Sequence, residues 1–279
     1  MADKSDYTRE SLLYGSDVLV IYRDPVTPPK PAPGQPGTHS NFTPHEPEIF
    51  IAVLSDSHIV AFNGHVDLGT GIRTALAQIV AEELSVAFDS VTMVLGNSVE
   101  APNQGPTIAS ASIQITAEPL RRAAAQAREY LLTLAAEHFD TERSLLSCQN
   151  GAISPSDNNR SYVSFGELLL GTRHALKLAD EVPLKPVSHY TLVGQSTSRV
   201  DIPAKATGQL TFIHDLRLPN MLHGRVIRPP YVGHDSGDFI GNSLIAVDES
   251  SVAHLPGVIS VVVVGDFVGV VAEREEQAA

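Results

Sequence analysis

Gly64-His-Val-Asp-Leu-Gly-Thr-Gly71 runs straight into Ile72-Arg-Thr-Ala-Leu-Ala-Gln-Ile-Val-Ala-Glu-Glu-Leu84, and this junction decides the fold. Ile72, Leu76, Ile79, Val80 and Leu84 recur at helical spacing and lie on one face. Gly69 and Gly71 flank Thr70 and let the backbone approach a ligand closely. The first helical turn carries N–H groups with no partner inside the helix, which makes an anion site. The same pattern also marks a plain tight turn. No third glycine follows at the spacing of the dinucleotide fingerprint, so a Rossmann site is excluded.

Working outward, Ile49 to Leu54 and His58 to Phe62 flank Ser55-Asp56-Ser57 and read as a hairpin. Val91 to Leu95 reads as a strand. Asn97 to Ser112 is rich in Gly, Pro, Ser and Asn and reads as a loop. Leu120, Ala124, Ala127, Leu131, Leu134 and Ala135 form a second helical stripe that ends near Phe139. Residues 145–170 read as short strands and a turn. Pro183 and Pro186 mark a domain boundary. Beyond it, Leu210 to Ile213, Leu222 to Ile227, Leu244 to Val247 and Val258 to Val264 are strand-length runs, which predicts a β-rich second domain.

Before the hairpin, only Val18 to Tyr22 is apolar. Eight prolines lie between Pro25 and Pro47. Proline lacks the N–H that helices and sheets need. Residues 1–47 therefore read as a Pro-rich extended arm, wrapping a partner or serving as a linker, with regular structure starting at Ile49. No repeat of fixed period is visible.

The chain has 279 residues, 43% of them hydrophobic and 18% charged, which suits globular domains with real cores. Its net charge of −13 repels phosphate backbones, so general nucleic-acid binding is not expected. Cys148 is the single cysteine, so an intrachain disulfide, a Cys-ligated zinc site and an iron–sulfur cluster are excluded. Cys148 reads as a small core residue or a nucleophile. The eleven histidines show no metal-ligand spacing. The start of the sequence lacks a signal-peptide pattern, and Val258 to Val264 is too short to span a bilayer.

A second constellation is Pro106-Thr-Ile-Ala-Ser-Ala-Ser112. It packs small residues and hydroxyls before a helix. Such a loop can hold pterin edges or phosphate oxygens, or simply cap the helix.

Taken together, Gly69-Thr-Gly71, Thr74, Gln78, the segment Val91-Thr-Met-Val-Leu-Gly-Asn-Ser98 and the loop Pro106 to Ser112 resemble one continuous stretch of the xanthine oxidase family. There a Gly-Gln-Gly turn and a Thr-Ala-Ala-Ser-x-Ser loop hold molybdopterin. The resemblance implies Gly69, Thr70, Gly71, Thr74, Thr107, Ala109, Ser110 and Ser112 as cofactor-binding residues. The sequence departs at Thr70, where Gln is common, and at Ile108, where Ala is common. The shorter Thr70 puts the Gln contact in doubt. Arg199-Val-Asp-Ile-Pro-Ala-Lys-Ala-Thr-Gly208, Asp215, Leu218 to Pro230, Asp248-Glu-Ser-Ser251 and Leu255-Pro-Gly-Val258 resemble the same family's a/b hammerhead domain. A cofactor segment ahead of the hammerhead is similar to the isoquinoline 1-oxidoreductase and nicotinate dehydrogenase branch. The fold so implied is α+β. An arm (1–47) precedes a partial molybdopterin-binding domain (48–182) and a β-rich aldehyde oxidase/xanthine dehydrogenase hammerhead domain (183–279), itself incomplete.

The family's Gly-Gly-Phe-Gly loop and its Gly-x-Gly-Glu catalytic segment have no counterpart. Ser164-Phe-Gly-Glu167 is an ordinary segment before a turn, so no catalytic residue and no protein ligand to metal are assigned. The chain is therefore expected to be half of a split subunit, inactive alone. The alternative is a non-catalytic fragment that serves only in subunit interaction. The parent reaction implied is hydroxylation of an N-heteroaromatic, nicotinate-like ring with oxygen from water. The cofactor implied is molybdopterin cytosine dinucleotide. The implied partners are the remaining half of the molybdenum subunit, a small [2Fe-2S] subunit and, as often in this branch, a haem-bearing cytochrome c. The location implied is cytoplasmic, or at the inner membrane through partners.

Overall fold

The computed structural model describes residues 7–26, 46–157, 161–228 and 244–279. Two compact units divide between Ala206 and Thr207.

The first unit is built on a five-stranded sheet. Its strands are β1 (Val18–Arg23), β2 (Glu48–Leu54), β3 (Ile59–Asn63), β4 (Val91–Leu95) and β8 (Arg173–Lys177), in the order β4-β3-β2-β1-β8. β2 pairs antiparallel with β1 and β3, while β3–β4 and β1–β8 are parallel. The hairpin expected around Ser55 to Ser57 is β2–β3. Both strands are near-continuous apolar runs because both of their faces are covered.

Two helices cover one face: α2 (Ile72–Leu84) and α3 (Ala117–Phe139). Leu76, Val80, Leu84, Leu120, Ala124 and Leu131 pack there on Ile21, Phe50, Val53 and Ile59. The other face is covered by α1 (Arg9–Tyr14), whose Leu12 and Leu13 meet Val20, Ile49, Val60 and Phe62. Phe50 and Ile51 share a face although they are neighbours. A register shift beside Ile21 and Tyr22 inserts the extra residue.

The extended arm over 1–47 needs correction. Thr8 caps α1, and β1 is an interior strand of the sheet, so among the described residues regular structure begins at Arg9 and not at Ile49. The apolar patch Val18 to Tyr22 was the signal. Its partner β8 lies far along the chain, so no local hairpin marked it. Prolines Pro28 to Pro44 fall outside the described residues.

After α3 come β5 (Leu146–Gln149), β6 (Ala152–Pro155) and β7 (Val163–Ser164), a small three-stranded sheet, then α4 (Phe165–Leu169). The first unit closes with α5 (Ile202–Ala206). Its limit lies beyond Pro183 and Pro186 because residues 190–200 are tied to α2. Glu82 Oε2 accepts the N–H groups of Thr191, Leu192 and Val193 at 2.6–3.0 Å.

The second unit contains β9 (His223–Ile227), α6 (Ser250–Ala253), β10 (Val258–Val264), β11 (Phe267–Ala272) and α7 (Glu275–Ala278). The sheet is antiparallel, in the order β10-β11-β9. Gly265 and Asp266 make the two-residue turn between β10 and β11, with Gly265 at φ 57°. Among the described residues, two expected strands are absent. Leu210 to Ile213 has no ladder partner; the Asp215 carboxylate accepts the Phe212 N–H and closes a single tight turn. Leu244 to Val247 is irregular. Short apolar runs resemble strands, but without a neighbouring strand their backbone groups cannot pair. Among the described residues, no helix is long and apolar enough to cross a membrane.

Candidate functional site

The loop after β3 is shaped by buried polar groups. Asn63, fully buried, donates through Nδ2 to the Thr116 carbonyl and hydroxyl oxygens, both at 3.1 Å. Gly64 N–H donates to Gln104 Oε1 at 2.8 Å, and Gln104 Nε2 donates to the Thr116 carbonyl at 3.2 Å. A side chain at position 64 would run into the Pro102 carbonyl oxygen, so only glycine fits. Val66 N–H donates to Thr107 Oγ1 at 3.0 Å. These bonds stitch residues 63–66 to residues 104–116.

His65 is 1% exposed, and its Nδ1 lies 2.8 Å from Ser112 Oγ. Burial lowers its pKa, and a hydrogen bond with the Gln104 backbone works against that shift. The buried imidazole thus stands where it can hold the Ser112 hydroxyl. Ser112 opens a π-helical turn, Ser112–Thr116, that leads into α3. Just before it, Ala109 and Ser110 sit at φ 51° and 57°. Left-handed backbone at non-glycine residues costs of order 1–3 kcal/mol each and concentrates at functional loops.

The junction before α2 is organised by Asp67. Its carboxylate accepts the N–H groups of Gly69 at 2.9 Å, Gly71 at 3.2 Å and Arg73 at 3.1 Å. Burial pushes its pKa up, but those three donors outweigh burial and hold it below the ordinary carboxylate range. This corrects the expected anion site at this helix start. Asp67 already caps these amides, so an external anion would have to displace a carboxylate.

The two loops converge. Val66, Leu68, Thr70, Ile72, Thr107, Ile108, Ala109, Ser110, Ser112 and Ile113 line one cavity of about 390 Å3. The structure therefore brings together Thr70, Thr107, Ala109, Ser110 and Ser112. Gly69, Gly71 and Thr74 are not part of the cavity's lining. Arg199 packs over Gly71, and Thr74, buried, accepts the Val200 N–H at 3.1 Å. Among the described residues, no charged side chain lines the cavity. It offers hydroxyls among apolar walls, which suits the edges of a polar heterocycle or neutral contacts to oxygen atoms. Asn63, His65 and Asp67 belong to the glycine-turn motif, where His65 and Asp67 read either as cofactor contacts or as exposed loop polars; His65 is instead buried on Ser112 and Asp67 caps the turn, while Gln104 was not singled out at all. Its one available signal was that it lies in the glycine- and serine-rich loop.

Elsewhere, Glu167 makes the capping box of α4 with Ser164. The Cys148 thiol is pushed up to about 12, chiefly by burial. Among the described residues, no group of His, Cys, Asp and Glu is placed to hold a metal ion.

Comparison with known proteins identifies a family. Residues 31–212 match the molybdopterin cofactor-binding domain family. The chain is 60% identical over 271 residues to a subunit of nicotinate dehydrogenase from Pseudomonas putida, covering 97% of this chain and 22% of that protein. It is 27% identical over 252 residues to the beta subunit of isoquinoline 1-oxidoreductase from Brevundimonas diminuta, covering 76% of this chain and 31% of that one. Among solved structures, CO dehydrogenase from Oligotropha carboxidovorans matches 41% of this chain and 14% of its own, with 23% identity and a TM-score of 0.38. The chain thus spans between a fifth and a third of the length of these curated relatives.

Proposed function

We propose a function from one premise: the chain belongs to the molybdopterin cofactor-binding domain family. In this reading it forms one wall of the cofactor pocket in a multi-chain molybdenum hydroxylase. That enzyme acts on an N-heteroaromatic ring carrying a carboxylate, of the nicotinate type, and takes its oxygen from water. The observation that carries the reading is the convergence of the 66–72 and 107–113 loops on one hydroxyl-lined cavity.

The donor set fits part of the cofactor. Hydroxyls of Thr70, Thr107, Ser110 and Ser112 can meet pterin nitrogens and oxygens. Ala109 and Ser110, both in the left-handed region, line the same cavity. His65 holds the Ser112 hydroxyl in place. Among the described residues no cation lines the cavity and Asp67 occupies the helix start, so this wall offers the phosphates of the proposed cytosine dinucleotide form hydroxyls rather than countercharge. When bound, the cofactor supplies the redox centre at which the ring is hydroxylated. This chain binds and orients it, and assigns no general base. Residues 183–279, of which 207–279 form the second compact unit, serve as a hammerhead-type domain, and electrons leave through iron–sulfur clusters and haem on partner chains.

The test is co-expression with the remaining large-subunit sequence and a small [2Fe-2S] subunit, followed by isolation of the complex. Molybdenum, released pterin and cytidine monophosphate should appear together, with nicotinate-dependent reduction of an acceptor dye. Ser110→Ala with Ser112→Ala should lower the pterin content. A complex that assembles without molybdenum or pterin would overturn the reading. It would favour the interaction-only alternative, which the exposed apolar residues of β9 and β10 support.

A further inference from the structure

Three residues on α2 share one polar stripe at intervals of four: Thr74, Gln78 and Glu82. Each grips the segment 190–200 as it runs past. Glu82 takes three successive N–H groups, from Thr191 to Val193. Gln78 Nε2 donates to the carbonyls of Leu192 at 3.1 Å and Gln195 at 3.2 Å and to Thr197 Oγ1 at 2.9 Å. Thr74 Oγ1 takes the Val200 N–H. The segment is thereby delivered in register to the front of α2. There Arg199 donates through one guanidinium nitrogen to the Gly69 carbonyl at 2.9 Å. Its other two nitrogens donate to both oxygens of Asp201, at 3.0 and 2.6 Å. Lys205 supports Asp201 from one turn on, at 2.6 Å. The aliphatic and guanidinium atoms of Arg199 stand 3.1 Å from where a Gly71 side chain would begin.

We propose that Arg199, held by Asp201, is a positioning residue that clamps the Gly69–Gly71 turn and so presents Thr70 to the cavity. The turn is gripped from both sides. Asp67 takes its N–H groups from within, and Arg199 takes its carbonyl from without. Only Arg can do this, because a planar fork serves a carboxylate and a carbonyl together where an ammonium cannot. The clamp also gives Gly71 a second requirement besides its φ of 80°. The part of the proposal concerning the cofactor rests on the function proposed above; the clamp itself does not.

The experiment uses two readouts on the full chain and its complex. Hydrogen–deuterium exchange of residues 66–73 reads the turn without any cofactor. Arg199→Ala should speed exchange there about tenfold, the size expected for losing one charge-assisted hydrogen bond. Exchange in α3 and the melting temperature should stay nearly unchanged, which a merely structural role would not predict. Arg199→Lys should behave like Arg199→Ala, and Asp201→Asn should move the same way by less. Unchanged exchange at 66–73 in Arg199→Ala would overturn the clamp. In the isolated complex, the same variant should lower pterin content severalfold. Faster exchange with full pterin content would overturn its role toward the cofactor. If the unsubstituted complex holds no pterin, the proposed function fails, and the exchange result still decides the clamp.

Discussion

The five-stranded sheet of the first unit and the three-stranded sheet of the second are both rich in Val and Ile and have opposite surroundings. In the first unit, Ile49 to Val53 and Ile59 to Phe62 are fully buried, with helices on both faces. In the second, Ile259, Val262, Val263 and Val264 are exposed, and only Gly269, Val270, Ala272 and Ala278 are buried among the described residues after 206. Valine-rich sequence favours a strand in both cases. What separates them is whether another layer exists to cover the strand, and that decides how much of its apolar surface leaves water.

This contrast predicts a hierarchy of effects. Leu120 is fully buried between α3 and the sheet, so Leu120→Ala should cost about 2–5 kcal/mol. Urea denaturation of the full chain measures it. A loss under about 1 kcal/mol would mean that the first unit lacks a packed core.

Next comes the polar stripe on α2. Glu82→Gln strands Lys185, whose Nζ lies 3.0 Å from the carboxylate, and should cost about 3 kcal/mol. Burial raises the Glu82 carboxyl, but donors from Leu192, Lys185, Val193 and Thr191 hold it below the ordinary range; Asp67 behaves likewise. The unfolded chain therefore binds these protons more tightly. Stability from both groups is complete above the ordinary carboxylate range and is lost as pH falls through their depressed folded values. Melting temperature against pH should fall less steeply on the acid side in Asp67→Asn than in the parent chain. Parallel curves would remove Asp67 from the account.

Cys148 sharpens the comparison as a probe. With its thiol pushed up to about 12, it should resist a thiol reagent at neutral pH in the native chain and react once the first unit opens. Its labelling rate in urea should follow the Leu120→Ala transition. Rapid native labelling would contradict the raised thiol.

The smallest effect belongs to β10. Val262→Thr removes no buried contact and should change stability by less than about 0.5 kcal/mol. The paired substitution Val262→Lys with Val264→Lys should reduce binding of a hydrophobic dye without lowering the melting temperature of the first unit. Equal dye binding before and after would relocate the exposed apolar surface.

The sequence by itself determined the elements whose signal is local. The periods of α2 and α3 were legible because each apolar residue has its partner three or four positions away. The β2–β3 hairpin was legible because its turn lies between its strands. The two loops of the cavity were legible as motifs, since glycine, serine and threonine spacing survives in one dimension. Tertiary structure alone decided the rest. β1 became an interior strand through β8, about 150 residues away, and no local pattern encodes that pairing. Leu210 to Ile213 and Leu244 to Val247 had strand composition but gained no ladder. At the site, sequence marked Thr70, Ser110 and Ser112. Folding decided that Asp67 would fill the start of α2, that His65 would hold Ser112, and that Arg199 would reach back to Gly69. Helical periodicity is a property of neighbouring residues, whereas the ownership of a hydrogen-bond donor depends on which distant acceptor folding brings to it first.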